Sequence, residues 1–347
     1  MLEKSNLPEE KIIVALHTDY GITVTKLDFL PIGNDSSAWV YRVGTVDGQT
    51  YFLKVKRDAV YAPSVAVPRY LLEQGMSQVV APLPTQIQTM WTSIDDFALL
   101  LYPFIEGDNG MAVGLSDQQW SDYGAVLRQL HTASLSPELL AQLPRETFVP
   151  NPKWCGIVKT LLAAIPTNNY KDALEKELAT FWRAKQGEIS KIVARTEALG
   201  RLLQQQRMAF VLCHADIHTA NLLIDSCGQL FFVDWDQPIL APKERDLMFV
   251  VGASLGGFVV DGHAERLFFQ GYGPAEINWL AIAYYRYEWV VQDLGDYAER
   301  VFLMENTGEE TKRAAVQELM AMFASGDVVD VAYQAETKLV LHPLREF

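Results

Sequence analysis

The sequence predicts an α+β protein, a small β-rich part followed by a larger, mainly helical one. Three observations carry this. Alternating apolar runs with tight turn signals fill the first hundred residues. From Ser116 onward apolar and aromatic residues recur at helical spacing. One hairpin, Leu222 to Val233, interrupts the helices. At 347 residues the chain is long enough for two domains. The change of pattern divides it into 1–105 and 106–347.

Ile32 to Ser37 reads as a small polar loop, and Trp39, Tyr41 and Val43 then alternate. Asp47–Gly48 is a turn signal, and Tyr51 to Val55 is a second β-prone run, so the pair forms a hairpin. Ser64 to Gln74 is helix-like and Gly75 stops it. Pro68 fits that helix only in a first turn or at a kink. Val79 to Ala81 and Ala98 to Phe104 complete the sheet, and Pro103 with Gly107–Gly110 reads as a hinge. Ser116 and Gln119 form a capping box ahead of Trp120, Tyr123, Leu127 and Leu130. Leu174, Leu178, Phe181 and Trp182 mark a second helical face, read as core. Ala209 to Cys213 is a short strand leading into a polar loop, and helices resume from Asp246.

Composition narrows the function classes. Apolar residues make up 49% and charged residues 21%, which excludes disordered, collagen-like and coiled-coil chains. The net charge of −14 argues against nucleic acid and anionic membranes as partners, since both need a basic surface. It points weakly to cationic small molecules, and solubility alone also accounts for it. Cys155, Cys213 and Cys227 are odd in number with no CxxC spacing, so a reducing, cytoplasmic setting is expected. The N-terminus lacks the apolar core of a signal peptide. The least polar stretch, Leu247 to Val260, is broken by glycines and shorter than the ~18 residues that span a bilayer.

The chemistry concentrates in His214-Ala-Asp216-Ile-His218-Thr-Ala-Asn221 and in Asp234-Trp-Asp236. The intervening hairpin returns Asp234 to Asn221, so Asp216, Asn221 and Asp234 can share a pocket. Oxygen donors of this kind suit Mg²⁺. Phosphoryl transfer also needs a carboxylate to orient the acceptor hydroxyl and take its proton, which suits Asp216. A His-x-Asp-x-His cluster also suits a zinc or iron hydrolase. The Asn221–Asp234 placement and the hairpin favour the kinase reading, with His214 and His218 structural.

His214-x-Asp216-x4-Asn221 followed by Asp234-x-Asp236 and by Pro242-Lys-Glu-Arg-Asp246-Leu247 resembles the aminoglycoside phosphotransferase and choline kinase family. Leu212–Asn221, Val233–Phe249, Gly271-Tyr-Gly273 and Tyr284–Glu288 are most similar to its spectinomycin phosphotransferase branch. The resemblance runs from about Tyr20 to Gln334. It implies a bilobal protein-kinase-like fold, with 1–105 the nucleotide lobe and 106–347 the lobe of the catalytic loop, metal loop and substrate site. It implies ATP, with GTP as an alternative, together with Mg²⁺, and O-phosphorylation of an aminocyclitol antibiotic such as spectinomycin. It implies Asp216 as base, Asn221 and Asp234 as metal ligands, and Lys54 on the phosphates, with Lys56 as its competitor two residues on. Gly33, Asn34, Asp35, Ser36 and Ser37 would cover the phosphates, and Tyr102, Phe104 and Ile105 would hold the adenine.

One departure stands out. The family places a glutamate at the start of the helix after the lysine strand, and here that stretch is Val60-Tyr-Ala-Pro-Ser64. Glu73 is the next acid along. Asp236, Glu288 and Asp293 are candidates for binding substrate amines, or else solvated or locally paired charges. A housekeeping kinase of an amino alcohol, sugar or amino sugar is the alternative within the class. A catalytically idle kinase-like binding protein is the alternative outside it. The chain is expected to be a monomer or dimer.

Overall fold

The computed structural model describes residues 2–57, 59–305 and 307–341. The chain begins with α1 (Glu9–Tyr20), β1 (Val24–Leu30), β2 (Ala38–Thr45), β3 (Thr50–Lys56) and α2 (Ala62–Glu73). Then come β4 (Thr92–Ile94), β5 (Phe97–Pro103), β6 (Gly107–Asn109), α3 (Gly110–Val113), α4 (Asp117–His131) and α5 (Pro137–Gln142). The central part holds α6 (Pro152–Ala164), α7 (Ala173–Leu203), β7 (Val211–Cys213), β8 (Leu222–Asp225), β9 (Leu230–Phe232) and β10 (Ile239–Ala241). After α8 (Glu244–Leu247), the two-residue strands β11 (Ser254–Leu255) and β12 (Phe258–Val259) precede α9 (Gly262–Tyr272), α10 (Trp279–Phe302), α11 (Glu309–Ala321) and α12 (Val328–Leu341). The fold is therefore mixed α+β, with the sheet N-terminal and the C-terminal part helical. No helix among the described residues is long and apolar enough to cross a membrane.

Two compact units result, and neither is one continuous stretch. The first holds residues 1–143 and 214–238; the second holds 144–213 and 239–347. The division by packing thus differs from the sequence boundary at residue 105. Residues 106–143 and the 222–233 hairpin fall in the first unit, where β6 pairs with β8 and β8 with β9 in a three-stranded sheet of their own.

The first unit is built on an antiparallel sheet of order β1-β2-β3-β5-β4. Alternation along β3 gives it two faces. Leu53 and Val55 pack with Tyr41, Val43, Leu99 and Leu101 against Leu16 of α1. Phe52, Lys54 and Lys56 take the other face, where Lys54 lies opposite Val40 and Leu100. The first hundred residues are less uniformly β than their alternation suggests. In α1, Ile12, Ala15 and Leu16 are buried at helical spacing. Pro68 sits in the middle of α2, beyond its first turn. Val79 makes a single parallel bridge to Phe232 in place of a strand.

The expected hinge at Gly107–Gly110 is ordered secondary structure. Gly107 pairs with Asp225, and a β-carbon there would lie 1.9 Å from the Ile224 carbonyl oxygen, so only glycine fits. The Asn109 side chain then caps α3. The capping box of α4 is present, with Ser116 and Gln119 satisfying each other's backbone amides.

The second unit is a helical assembly around α10, which packs against α6, α7, α11 and α12. Arg286 of α10 is buried and donates to the carbonyls of Met248 (3.2 Å), Val251 and Val331 (3.4 Å). Burial pulls its guanidinium down to about 10. These bonds hold the segment after α8, so the apolar stretch from Leu247 is a short helix end, a buried loop and the β11–β12 hairpin.

Candidate active site

The loop ahead of β8 is fixed from its own backbone. His214 is fully buried, and its Nε2 bonds the Val233 carbonyl at 2.9 Å. Its Nδ1 accepts from the Asp216 amide at 3.3 Å, so both ring nitrogens are engaged within the loop. That removes His214 from the hydrolase reading, and His214, Asp216 and His218 form no convergent metal-binding group among the described residues. Tyr123 of α4 donates to the Ile217 carbonyl at 2.7 Å from the buried side. Ala215 has φ +73°, a conformation that a side chain disfavours and that the surrounding bonds must enforce.

Asn221 and Asp216 form one constellation. The Asn221 amide nitrogen donates to the Asp216 backbone carbonyl at 2.7 Å and to its carboxylate at 3.1 Å. The Asn221 amide oxygen is thereby the atom left to meet a cation. The next turn, Asp225–Gly228, closes through Asp225, whose carboxylate accepts from Cys227 and Gln229 at 2.9 and 2.8 Å. The Val233 amide then bonds the Asn221 carbonyl at 3.1 Å. That bond brings Asp234 back to Asn221 across the hairpin, as the spacing predicts.

Asp234 has φ +63° and stands on a tight corner held by Trp235. The Trp235 indole is buried, donates to the Phe232 carbonyl at 3.1 Å and packs on His214 with ring centroids 4.4 Å apart. The corner directs both flanking carboxylates to one place. The Lys54 ammonium lies 2.9 Å from Asp234 and 2.8 Å from Asp236. Burial alone would lower the Lys54 pKa, but Asp234 and Asp236 outweigh it and raise it well above the ordinary lysine value.

Lys56 shares the face with Lys54, as alternation requires, and lies 3.3 Å from Asp236 and 3.0 Å from Asp35. Asp35 belongs to the loop expected to cover phosphates. Its carboxylate accepts from both the amide and the hydroxyl of Ser37 at 2.8 Å. Gly33, at φ +88°, supplies the left-handed turn that opens this loop before Asn34 and Ser36. Burial would raise the Asp35 pKa, yet Lys56 and Lys54 hold it well below the usual carboxylate range.

Tyr102, Phe104 and Ile105 are half-buried at and just beyond the end of β5. Tyr102 packs edge-on to Phe52, and Arg42 lies over the Phe104 ring at 4.6 Å.

The three expected substrate carboxylates have different partners within their own units. Asp236 faces the two lysines instead, which sequence reasoning missed because 182 positions separate it from Lys54. The only signal available in the chain was the missing carboxylate at Val60–Ser64. Glu73 does not supply it, being bonded to Arg69 at 2.7 Å. Glu288 and Asp293 both lie on α10 in the second unit. Glu288 is paired with Arg245 at 3.0 Å, each side chain only 12% exposed. Asp293 accepts from the Trp289 indole at 2.7 Å.

Residues 28–285 match the phosphotransferase enzyme family. Spectinomycin phosphotransferase APH(9)-Ia, solved with ADP and spectinomycin, is 30% identical with a TM-score of 0.84, covering 94% of this chain and 98% of its own. Its AMP-bound complex superposes with a TM-score of 0.78 at 29% identity, covering 93% and 98%. Protein StrN of Streptomyces griseus is 24% identical over 326 residues, covering 89% of this chain and 92% of its own.

Proposed function

The chain belongs to the phosphotransferase enzyme family, and on that footing we propose that it is an ATP- and Mg²⁺-dependent kinase acting on a hydroxyl of a spectinomycin-like aminocyclitol. One observation carries the reading: Lys54 meets Asp234 at 2.9 Å, while the Asn221 amide holds the Asp216 carboxylate at 3.1 Å. That is a phosphate cation, two oxygen donors and a base in one unit. Likeness to the ADP- and spectinomycin-bound enzyme supports the choice of nucleotide and acceptor.

Each residue then has a defined task. Asp216 orients the acceptor hydroxyl and takes its proton as the new bond to phosphorus forms and the bond to the departing ADP breaks. Asn221 fixes the Asp216 carboxylate through its amide nitrogen and, with Asp234, offers oxygen to a cation. Asn221 and Asp234 would hold a divalent cation there, which would supply neutralising charge for the nucleotide phosphates. Lys54 adds a second positive charge, and the loop from Gly33 to Ser37 orders the phosphates. The transition state is loose, so positioning and charge account for most of the rate gain.

The test is turnover of Mg·ATP with a panel of aminocyclitols, read as ADP release and as phosphorylated product by mass spectrometry. Spectinomycin or a close relative is expected to turn over, and Asp216→Asn to reduce kcat by about 10²- to 10⁴-fold. ADP release indifferent to Asp216 would falsify the mechanism. Product from amino alcohols or simple sugars alone would overturn the substrate class.

A further inference from the structure

The arrangement of carboxylates around the two lysines of β3 carries a further step, which rests on the kinase reading above. Lys54 has two counter-charges of different standing. Asp234 is 45% exposed and is also the oxygen donor offered to a cation. Asp236 is placed for the lysines, at 2.8 Å from Lys54 and 3.3 Å from Lys56. Trp235 separates the two acids, its buried indole donating to the Phe232 carbonyl. A Lys54 dependent on Asp234 alone would lose its partner whenever Asp234 engaged a cation. Asp236 holds Lys54 independently of that event.

Asp236 also reaches beyond Lys54. Lys56 bonds Asp35 at 3.0 Å, and Asp35 holds the amide and hydroxyl of Ser37. The Arg57 amide, just past the end of β3, bonds the Ser37 carbonyl at 3.0 Å. The Gly33–Ser37 loop is therefore tied to the carboxylate that orients Lys54.

We propose that Asp236 is the positioning residue of this site. It keeps Lys54 oriented while Asp234 serves the metal, and through Lys56 and Asp35 it couples the Gly33–Ser37 loop to the same charge. It takes no part in binding the acceptor.

Steady-state kinetics of the full chain separate these roles. Asp236→Asn keeps the shape and removes the charge. It is expected to lower kcat/KM for ATP by about 10- to 100-fold, as a mispositioned group does, and to leave the acceptor KM within twofold. Asp236→Glu is expected to recover part of the loss, and Lys56→Gln to raise the ATP KM with little change in kcat. In Lys54→Met, adding Asp236→Asn should cost nothing further, because the two act as a unit. A raised acceptor KM in Asp236→Asn, or additive losses in the double variant, would overturn the proposal.

A second measurement needs no turnover, so failure of the kinase reading stays distinguishable. Amide hydrogen exchange at residues 33–37 is expected to quicken in both Asp236→Asn and Lys56→Gln while protection of β2 and β3 is kept. Unchanged exchange in either variant overturns the coupling. A wild-type protein that turns over no acceptor, with exchange quickened in both variants, would sink the function and keep the coupling.

Discussion

At the scale of single residues, the catalytic loop depends on one imidazole that touches no substrate in the mechanism above. His214 accepts from the Asp216 amide and bonds the Val233 carbonyl, joining the segment of Asp216 to the segment of Asp234. His214→Phe keeps a ring against Trp235 but ends both bonds. Thermal unfolding is expected to show a loss of about 1–3 kcal/mol, the cost of leaving such groups without their partner. Kinetics should show a lower kcat with a smaller change in ATP KM, since Asp216 shifts more than Lys54. An unchanged melting temperature would reduce the imidazole to packing. Much at this scale is legible in the chain. His214, Asp216, Asn221 and Asp234 are close in sequence, and local turns bring them together. Asp236 on Lys54 and Arg245 on Glu288 are not legible, since 182 and 43 positions separate the partners and only tertiary packing joins them.

At the scale of elements, helix ends and turns set the frame. The long helix α7 starts at Asp172, whose carboxylate accepts from the amides of Glu175 at 3.1 Å and Leu174 at 2.9 Å. The Glu175 bond leads in holding the Asp172 pKa below the ordinary carboxylate value. A pKa lowered by folding means that the carboxylate adds stability above its unfolded pKa and loses it as the pH falls through the folded one. As the N-cap of α7, Asp172→Ala is expected to cost about 1 kcal/mol at neutral pH. The gap should narrow below about pH 4, where the wild-type cap protonates. Melting temperatures of both proteins across that range check it, and a gap independent of pH would exclude the charged cap. Capping boxes and hairpin turns are readable because they are local. The α1 helix is harder, because its neighbours alternate as strands do and only burial of Ile12, Ala15 and Leu16 fixes its period. The Gly107–Gly110 segment looks like a hinge in sequence for a related reason. Its glycines serve close approach, Gly107 to Ile224 and Gly110 to Leu115 and Thr219.

At the scale of the whole molecule, charge and connectivity matter most. The net charge is −14, and many ion pairs, such as Lys4–Glu9 and Lys11–Asp95, are exposed and worth little. Salt screens the summed repulsion at the surface more than it weakens buried pairs such as Arg245–Glu288. The melting temperature is therefore expected to rise from low salt to physiological ionic strength. A fall would show that surface pairs outweigh the repulsion. The acidic balance does not by itself identify a cationic substrate, because Asp236 and Glu288 already hold cations of the chain. Nor does the sequence reveal the discontinuous units, since no change of composition marks positions 143, 213 or 238.

That discontinuity has an evolutionary consequence. Residues 214–238 leave the second unit at Cys213 and return at Ile239, and those two residues are direct partners in the β7–β10 ladder. The 214–238 segment is thus an insertion whose entry and exit share one neck. Lengthening the Asp225–Gly228 turn leaves the neck in register. Adding a single residue within β7 or β10 would reverse the facing of every side chain beyond it. Length variation among descendants of this chain should therefore accumulate at the hairpin tip and be purged at the neck, so that the chemistry can drift while its mounting stays constant.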